Sequence, residues 1–425
     1  MLDIKFIREN PEVVKKALRD RNVEFDLDYL IQLDEKRRAK IKEVDDMRAS
    51  QNQISDAIAR LQGEEKNEKI NESKEIKTKL GHAEFELKAI EEEFNSLLYK
   101  IPNIPLDDVP VGKDESENVV LREVGEKPKF DFTPRDYMEI GTRLDLIDTE
   151  RAAKVSGSRF GYLKNEAVLL EFALAQFALE RLRGDGFIPV VPPVLIREKM
   201  MRGMGYIDSK KDSEERYFLE NDNLFLVGTS EQSIVPMHAN EVLDVIPLYY
   251  VGFSSCFRRE AGSYGKDTYG ILRVHQFDKL EMIVFSPPEI SGVEHEHLLE
   301  VAEWLIGELK IPYRVVQLCT GDLSQPSAIT YDIEAWLPGQ KGGEGEYRET
   351  HSISNTTNYQ SRRLNIRIPY GAGKFEFVHI LNGTALAIGR MLIAILENYQ
   401  QENGSVAIPD VLQPYMAGIK IIKRA

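Results

Sequence analysis

The residues of this chain best suited to chemistry fall in two short stretches. The first is Cys256-Phe257-Arg258-Arg259-Glu260, followed after a polar, glycine-containing segment by Arg273-Val274-His275-Gln276-Phe277-Asp278-Lys279-Leu280-Glu281. Both flanks have strand character, which predicts a β-hairpin with a long loop from about residue 261 to 271. Side chains alternate across a strand, so Arg258 and Glu260 share one face. Phe277, Lys279 and Glu281 likewise share a face, opposite the apolar Leu280, Met282 and Val284. The hairpin thus presents an arginine, two carboxylates and an aromatic ring on one surface. An arginine can grip a carboxylate or phosphate bidentately, and a phenylalanine can stack on a base; the same spacing also suits a surface ladder of ion pairs. The second stretch, Asn382-Gly383-Thr384-Ala385-Leu386-Ala387-Ile388-Gly389-Arg390, leads from a strand into the apolar helix 391–399. Its glycines allow close helix-to-sheet packing and leave Arg390 near the edge.

Groups of this kind need a framework. From residue 135 onward, helical stretches at 167–183 and 297–310 alternate with β-rich runs at 246–257, 274–285, 313–319 and 375–381. That mixture predicts an α+β domain on a mainly antiparallel sheet flanked by helices. Residues 29–101 differ: they are highly charged, lack proline and hold only two glycines. Ile76, Leu80, Ala83, Leu87, Ile90, Phe94, Leu97 and Ile101 alternate four and three apart, the a/d pattern of a coiled coil. Leu30, Leu33, Ile41, Val44, Ile54, Ile58 and Leu61 form a looser stripe, and Gly63-Glu64-Glu65-Lys66-Asn67 reads as the turn between two helices. Two helices of roughly 35 residues, at about 1.5 Å rise each, predict an antiparallel arm about 50 Å long. Gly81 inside the second helix, costing about 1 kcal/mol relative to alanine, marks a place for a kink. By itself such an arm suits dimerisation or partner binding, and its basic cluster Lys36, Arg37, Arg38, Lys40 and Lys42 reads as a solvated face. The boundaries expected are an N-terminal domain at 1–110, a proline- and aspartate-rich linker at 111–134 with one short strand near 118–124, and a catalytic domain at 135–425.

A length of 425 residues suffices for one large and one smaller domain. No apolar run is long enough for a membrane span, and the N-terminus has no signal-peptide pattern. Cys256 and Cys319 are too few for a cysteine-based zinc site, so no zinc is expected, and they fit a reducing, cytoplasmic setting. The formal charge of −15 points away from nucleic acid and toward a small-molecule enzyme.

The two stretches together resemble motifs 2 and 3 of class II aminoacyl-tRNA synthetases. Gly186-Phe187-Ile188-Pro189-Val190-Val191-Pro192-Pro193 resembles motif 1, whose proline lies at the dimer interface in that family. The resemblance is strongest to bacterial-type seryl-tRNA synthetases and runs over essentially the whole chain. It takes in Ala152-Ala153-Lys154-Val155-Ser156-Gly157-Ser158-Arg159-Phe160, Gly228-Thr229-Ser230-Glu231 and Val411-Leu412-Gln413-Pro414-Tyr415-Met416. It implies a homodimer that activates L-serine with ATP and passes it to tRNA(Ser), with tRNA(Sec) as a second candidate acceptor. The helical arm would bind the long variable arm of the tRNA. Arg258 would hold the serine carboxylate and the ATP α-phosphate, Glu260 the adenine amino group, Phe277 the adenine ring and Val274 a backbone contact. Arg259, Thr350 and His351 would complete the ATP site, with Arg390 on the γ-phosphate. Glu349 and Ser352 match the positions that hold Mg²⁺, which favours hard oxygen ligands. Thr229, Ser230, Glu231, Glu281, Asn382 and Thr384 would line the serine pocket. Arg258, Glu349 and Arg390 are thus the catalytic candidates.

Three features depart from the family pattern: Gly228 stands where proline usually precedes the threonine–glutamate signature, Gln340-Lys341-Gly342-Gly343-Glu344-Gly345-Glu346 reads as a short insertion, and 352–357 lacks cysteines often seen there. Glu294-His295-Glu296-His297 could suggest a metal site, but as the opening of an amphipathic helix it is expected to be solvated. Two rival functions are an amino-acid-adenylating paralogue that loads a carrier protein, against which the arm counts, and a non-catalytic module that keeps only the fold. Retention of Arg258, Glu281, Glu349 and Arg390 argues against the second.

Overall fold

A computed structural model describes residues 1–208, 210–261, 269–371 and 373–424. It divides into two compact units, one made of Leu2–Arg19 and Val23–Pro102, the other of Asn103–Ala425 with Met1 and Asp20–Asn22.

The first unit is built on α1 (Leu27–Arg60) and α2 (Gly63–Lys100). The turn is only Leu61 and Gln62; the run Gly63–Asn67, expected as the turn, is instead the start of α2. Glu64 and Glu65 favour that outcome, because their charges sit at the positive end of the helix dipole. Val44, Leu80 and Ala83 are buried between the helices with Met47 and Leu87 against them. Toward the end of α2 the buried position is Leu98 rather than Leu97. A 3.6-residue helix drifts off a strict heptad seam over that length. Helix α2 runs through Gly81 without a break, and a Cβ there would meet nothing within 4 Å. Asp34, fully buried, accepts from Arg8 at 2.6 Å, Arg37 at 3.0 Å and Arg38 at 3.1 Å. Burial alone would raise its carboxyl, but Arg37 and Arg8 outweigh that and hold it below the usual range. Lys40 bridges to Glu86 at 2.7 Å and Arg48 to Glu84 at 2.8 Å, across the helix pair. Three members of the basic cluster therefore have partners inside the unit, while Lys36 and Lys42 are exposed.

The second unit centres on an eight-stranded sheet. Its strands are β1 (Val119–Val124), β2 (Ile188–Val190), β3 (Leu248–Phe257), β4 (Gln276–Ser286), β5 (Tyr313–Gln317), β6 (Ile329–Leu337), β7 (Glu346–Asn355) and β8 (His379–Ala387). They lie in the order β1-β5-β6-β7-β8-β4-β3-β2. Every pairing is antiparallel except β2 with β3. Strand β1 comes from the segment read as a linker, which thus supplies one edge of the sheet. Helices α3 (Glu166–Gly184), α4 (Ser291–Glu308) and α5 (Ile388–Asn398) belong to the large core. There Leu174, Leu182, Leu298, Leu305 and Leu392 pack with Leu280, Met282 and Val284, the face of β4 that alternation marks as apolar. The Glu294–His297 stretch is not wholly solvated. Glu294 is buried and accepts from the Tyr249 hydroxyl, and buried His295 stacks on Tyr331 with Nε2 at 3.0 Å from the Ile353 carbonyl. Glu397, buried in α5, accepts the Gly339 amide at 2.8 Å and the Gln340 side chain at 2.6 Å, tying the 340–346 segment to the core.

Candidate active site

Strands β3 and β4 pair from Leu248–Phe285 to Phe257–Gln276, and Arg258 continues the ladder by donating its amide to the His275 carbonyl at 3.1 Å. This is the expected hairpin; most of its loop, 262–268, lies outside the described residues. His275 Nδ1 lies 2.9 Å from the Arg258 carbonyl, so the imidazole orients the hairpin tip. Regular alternation stops at Phe257: Glu260 has a left-handed φ of 52°. Arg258 and Glu260 nonetheless open into one cavity of about 840 Å³ together with Phe277, Lys279 and Glu281.

Two β-bulges bring the neighbouring strands into line. Residues three apart on a regular strand point to opposite faces, yet Glu349 and Ser352 both line the cavity. The cause is an extra residue, Thr350, where β7 slips register against β6: Ile333 faces His351 and Glu334 faces Glu349. Thr350 turns its hydroxyl away, donating to the Ile333 carbonyl at 3.1 Å. Strand β8 has a matching slip between Thr384 and Leu386, and Asn382, Thr384 and Ala387 all reach the cavity.

One end of the cavity is acidic. Thr229 and Glu231 lie at the head of a short helix, Glu231–Ile234, seated against Gly252 of β3, where a Cβ would come within 2.7 Å of Ser230 Cβ. The Glu231 carboxylate accepts from Gln360 Nε2 at 2.7 Å and the Tyr206 hydroxyl at 3.1 Å. Burial, reinforced by the nearby Glu281, pushes its carboxyl up to about 7. Glu281 forms an ion pair with Lys279 and receives the Thr384 hydroxyl at 3.5 Å.

The other end is cationic. Arg258 donates Nε to the Gly228 carbonyl at 3.2 Å, and its guanidinium lies 5.4 Å from the centre of the Phe277 ring. Arg390 contacts the Glu349 carboxylate at 3.1 Å. Desolvation would raise the half-exposed Glu349 carboxyl, but Arg390 and Arg258 hold it below the usual range. At Gly228, where the family pattern has proline, the amide donates to Gln232 Oε1 at 2.8 Å, a bond that proline could not make.

Three of the expected residues lie off the cavity. Ser230 is buried with its hydroxyl donated to the Gly252 carbonyl at 3.3 Å. His351 is buried beside Thr350, because alternation with Thr350, Ser352 and Ser354 turns it to the far side of β7, and burial pushes its imidazole down to about 4. Arg259 is exposed, donating to the Arg216 carbonyl at 2.9 Å and resting over Tyr217. Conversely, Tyr206, Arg216, Lys279 and Gln360 are near the cavity although the motif resemblance gives them no role. Lys279 alone carried a signal, its place on the Glu281 face.

For a divalent cation, Glu349 and Ser352 offer hard oxygens, and Asp332 stands opposite Ser352 in the sheet register with a buried Oδ1 that has no hydrogen-bond partner. Such a donor set fits magnesium, which keeps waters and substrate phosphates in its shell instead of requiring an all-protein cage.

The antiparallel sheet, its arginine-bearing hairpin and the strand-to-helix arginine define the core of a class II aminoacyl-tRNA synthetase. The family model described as tRNA synthetase class II core domain (G, H, P, S and T) matches residues 216–399, and that of the seryl-tRNA synthetase N-terminal domain matches residues 1–105. The chain is 46% identical to a serine–tRNA ligase of Dictyoglomus turgidum, covering 100% of this chain and 99% of that one. It is 44% identical to one of Rubrobacter xylanophilus, over 98% of both. The solved seryl-tRNA synthetase of Pyrococcus horikoshii complexed with ATP superposes with a TM-score of 0.89 at 43% identity over the whole of both chains. A cytoplasmic serine–tRNA ligase of Naegleria fowleri in complex with AMP gives 0.86 at 35% identity, over 100% of this chain and 99% of that one. The chain belongs to the seryl-tRNA synthetase family.

Proposed function

We propose that this chain activates L-serine with ATP, forming seryl-adenylate and pyrophosphate, and then transfers the serine to the 3′ end of tRNA(Ser). The observation that carries this reading is that one cavity brings together the buried carboxylates Glu231 and Glu281, Arg258 over the Phe277 ring, and Arg390 paired with Glu349. Serine fits with its ammonium toward Glu231 and Thr229 and its hydroxyl toward Glu281, Thr384 and Asn382. Its carboxylate then lies on Arg258, where ATP presents the α-phosphate. Glu260 and Val274 take the adenine edge, Phe277 its face, and Arg390 the γ-phosphate.

In the first step a serine carboxylate oxygen attacks the α-phosphorus and the bond to pyrophosphate breaks. The nucleophile is already ionised, so no general base is needed, and rate is gained from alignment and from Arg258 facing the charge that builds on phosphorus. Magnesium, held by Glu349 and Ser352, would offset negative charge on the phosphates. In the second step a ribose hydroxyl of the terminal adenosine attacks the seryl carbonyl and releases AMP. Paired hydrogen bonds to the serine hydroxyl reject an analogue without it by roughly 10⁴ or more, whereas threonine must be excluded by lack of room for a methyl.

The N-terminal helical arm is assigned to tRNA(Ser), and tRNA(Sec) is the further acceptor to test. A homodimer fits the exposed apolar residues Leu169, Phe172, Ile188 and Val191 on α3 and the motif 1 segment. No helix among the described residues is long and apolar enough to cross a membrane, and a cytoplasmic site of action follows from the tRNA substrate.

The test is amino-acid-dependent ATP–pyrophosphate exchange with serine, threonine, alanine and glycine in parallel. Exchange strongest with serine is expected. Folded protein giving no exchange with any of the four overturns the reading.

A further inference from the structure

A buried lysine is an odd lining for a pocket whose substrate carries an ammonium. Lys279 lies on β4 two residues before Glu281, opposite Ser254, and its side chain is only 7% exposed. Both residues line the cavity, and the ammonium is ion-paired with Glu281. Beneath it, Ser254 and Cys256 of β3 are also buried and offer no charge. Also lining the cavity is Glu231, itself 1% exposed and held by Gln360 and Tyr206, with Arg216 over the Tyr206 ring. Without Lys279 the pocket would hold two carboxylates against one incoming ammonium, and the surplus charge, far from water, would repel its neighbour or take up a proton. With Lys279 the charge of Glu281 is offset within the pair, and Glu231 is the carboxylate left to face an amino-acid ammonium.

We propose that Lys279 is the positioning residue of the serine pocket: by pairing with Glu281 it fixes that carboxylate and offsets its charge, so that Glu281 serves the serine hydroxyl while Glu231 alone faces the ammonium. This rests on the serine-activating reading above. Lys279 acts through Glu281 and touches no reacting atom. Its loss therefore affects amino-acid recognition and leaves ATP handling alone.

The experiment compares wild type, Lys279→Met, Glu281→Gln and the double variant in ATP–pyrophosphate exchange, with serine and alanine, at saturating ATP and with the ATP KM as internal control. Wild-type exchange with serine must be present first, and its absence would sink the functional reading rather than this one. For Lys279→Met the serine KM is expected to rise at least about tenfold, as when one partner of a buried charge pair is truncated. The ATP KM stays within about twofold, and the preference for serine over alanine falls. The double variant should match Glu281→Gln, since a lysine that works through Glu281 has nothing left to position. Lys279→Gln is read in the same way if Lys279→Met fails to fold. An unchanged serine KM, an equal rise in the ATP KM, or a double variant whose losses multiply would each overturn the proposal.

Discussion

Glu231 gives the pocket a pH dependence with a definite sign. Burial first, then the neighbouring Glu281, raise its carboxyl from 4.5 to about 7. A serine ammonium is best bound by the ionised form. With a value near 7, about one-tenth of the carboxyl is ionised at pH 6 and about nine-tenths at pH 8. Serine affinity should therefore rise about tenfold over that window, since the apparent dissociation constant is the intrinsic one divided by the competent fraction. The same shift bears on stability. A group whose folded value is raised contributes stability fully present below its unfolded value and lost as pH rises through the folded one. Between pH 4.5 and 8 the unliganded protein loses about 3 kcal/mol from this carboxyl, and stabilisation by serine should grow over the same range. The assay is serine KM in pyrophosphate exchange at pH 6, 7 and 8, with the ATP KM alongside, and a thermal-shift series with and without serine. Glu231→Gln should flatten the serine profile and raise the serine KM throughout. A wild-type serine KM that is level from pH 6 to 8, or that rises with pH, would refute the reasoning.

Glu349→Gln should raise the Mg²⁺ concentration for half-maximal exchange by about tenfold or more, read from a metal titration at fixed ATP. In the arm, Lys36→Glu with Lys42→Glu should leave exchange unaltered and raise the tRNA KM about tenfold at low salt, the gap narrowing as salt is added. Asp34→Ala removes a buried acceptor from three arginines that are themselves partly exposed, so a loss of about 1–3 kcal/mol in chemical unfolding is expected, with exchange retained.

Much of this architecture was legible because its signals are local. The strand alternation of 276–284 located the apolar and polar faces of β4, and the a/d spacing of 76–94 located the second arm helix. What was hidden depended on register. A one-residue bulge at Thr350 decides that Glu349 joins Ser352 on the cavity face, and no spacing rule applied to a regular strand yields that result. The arm turn was misplaced because a glycine-led polar run resembles a loop, although its two glutamates suit a helix N-terminus equally well. Tyr206 and Gln360 escaped notice because they meet Glu231 only through the fold, from positions 25 before and 129 after it in the chain. Ser230 and Arg259 stand beside functional residues in the sequence, but the helix start packs Ser230 onto Gly252 and the hairpin tip turns Arg259 outward over Tyr217.

The net charge of −15 was a poor guide for a related reason: function depends on how charge is partitioned, and the sum hides it. The cavity holds both signs, with the buried Glu231 and the Lys279–Glu281 pair on its wall together with Arg258 and Arg390. A zwitterion entering this field has one favourable orientation, with its ammonium inward and its carboxylate on Arg258. That orientation aims the nucleophilic oxygen at the phosphorus before any bond changes. Selection of an α-amino acid and alignment for attack are then the same electrostatic act, and only the polar groups of Thr384 and Asn382 on the cavity wall remain to distinguish serine from its neighbours. The hydroxyl is read by groups left unpaired when it is missing, which is a strong discriminator. A methyl is read only by crowding, which is worth about 1–3 kcal/mol. Threonine is therefore the competitor this pocket is least equipped to refuse.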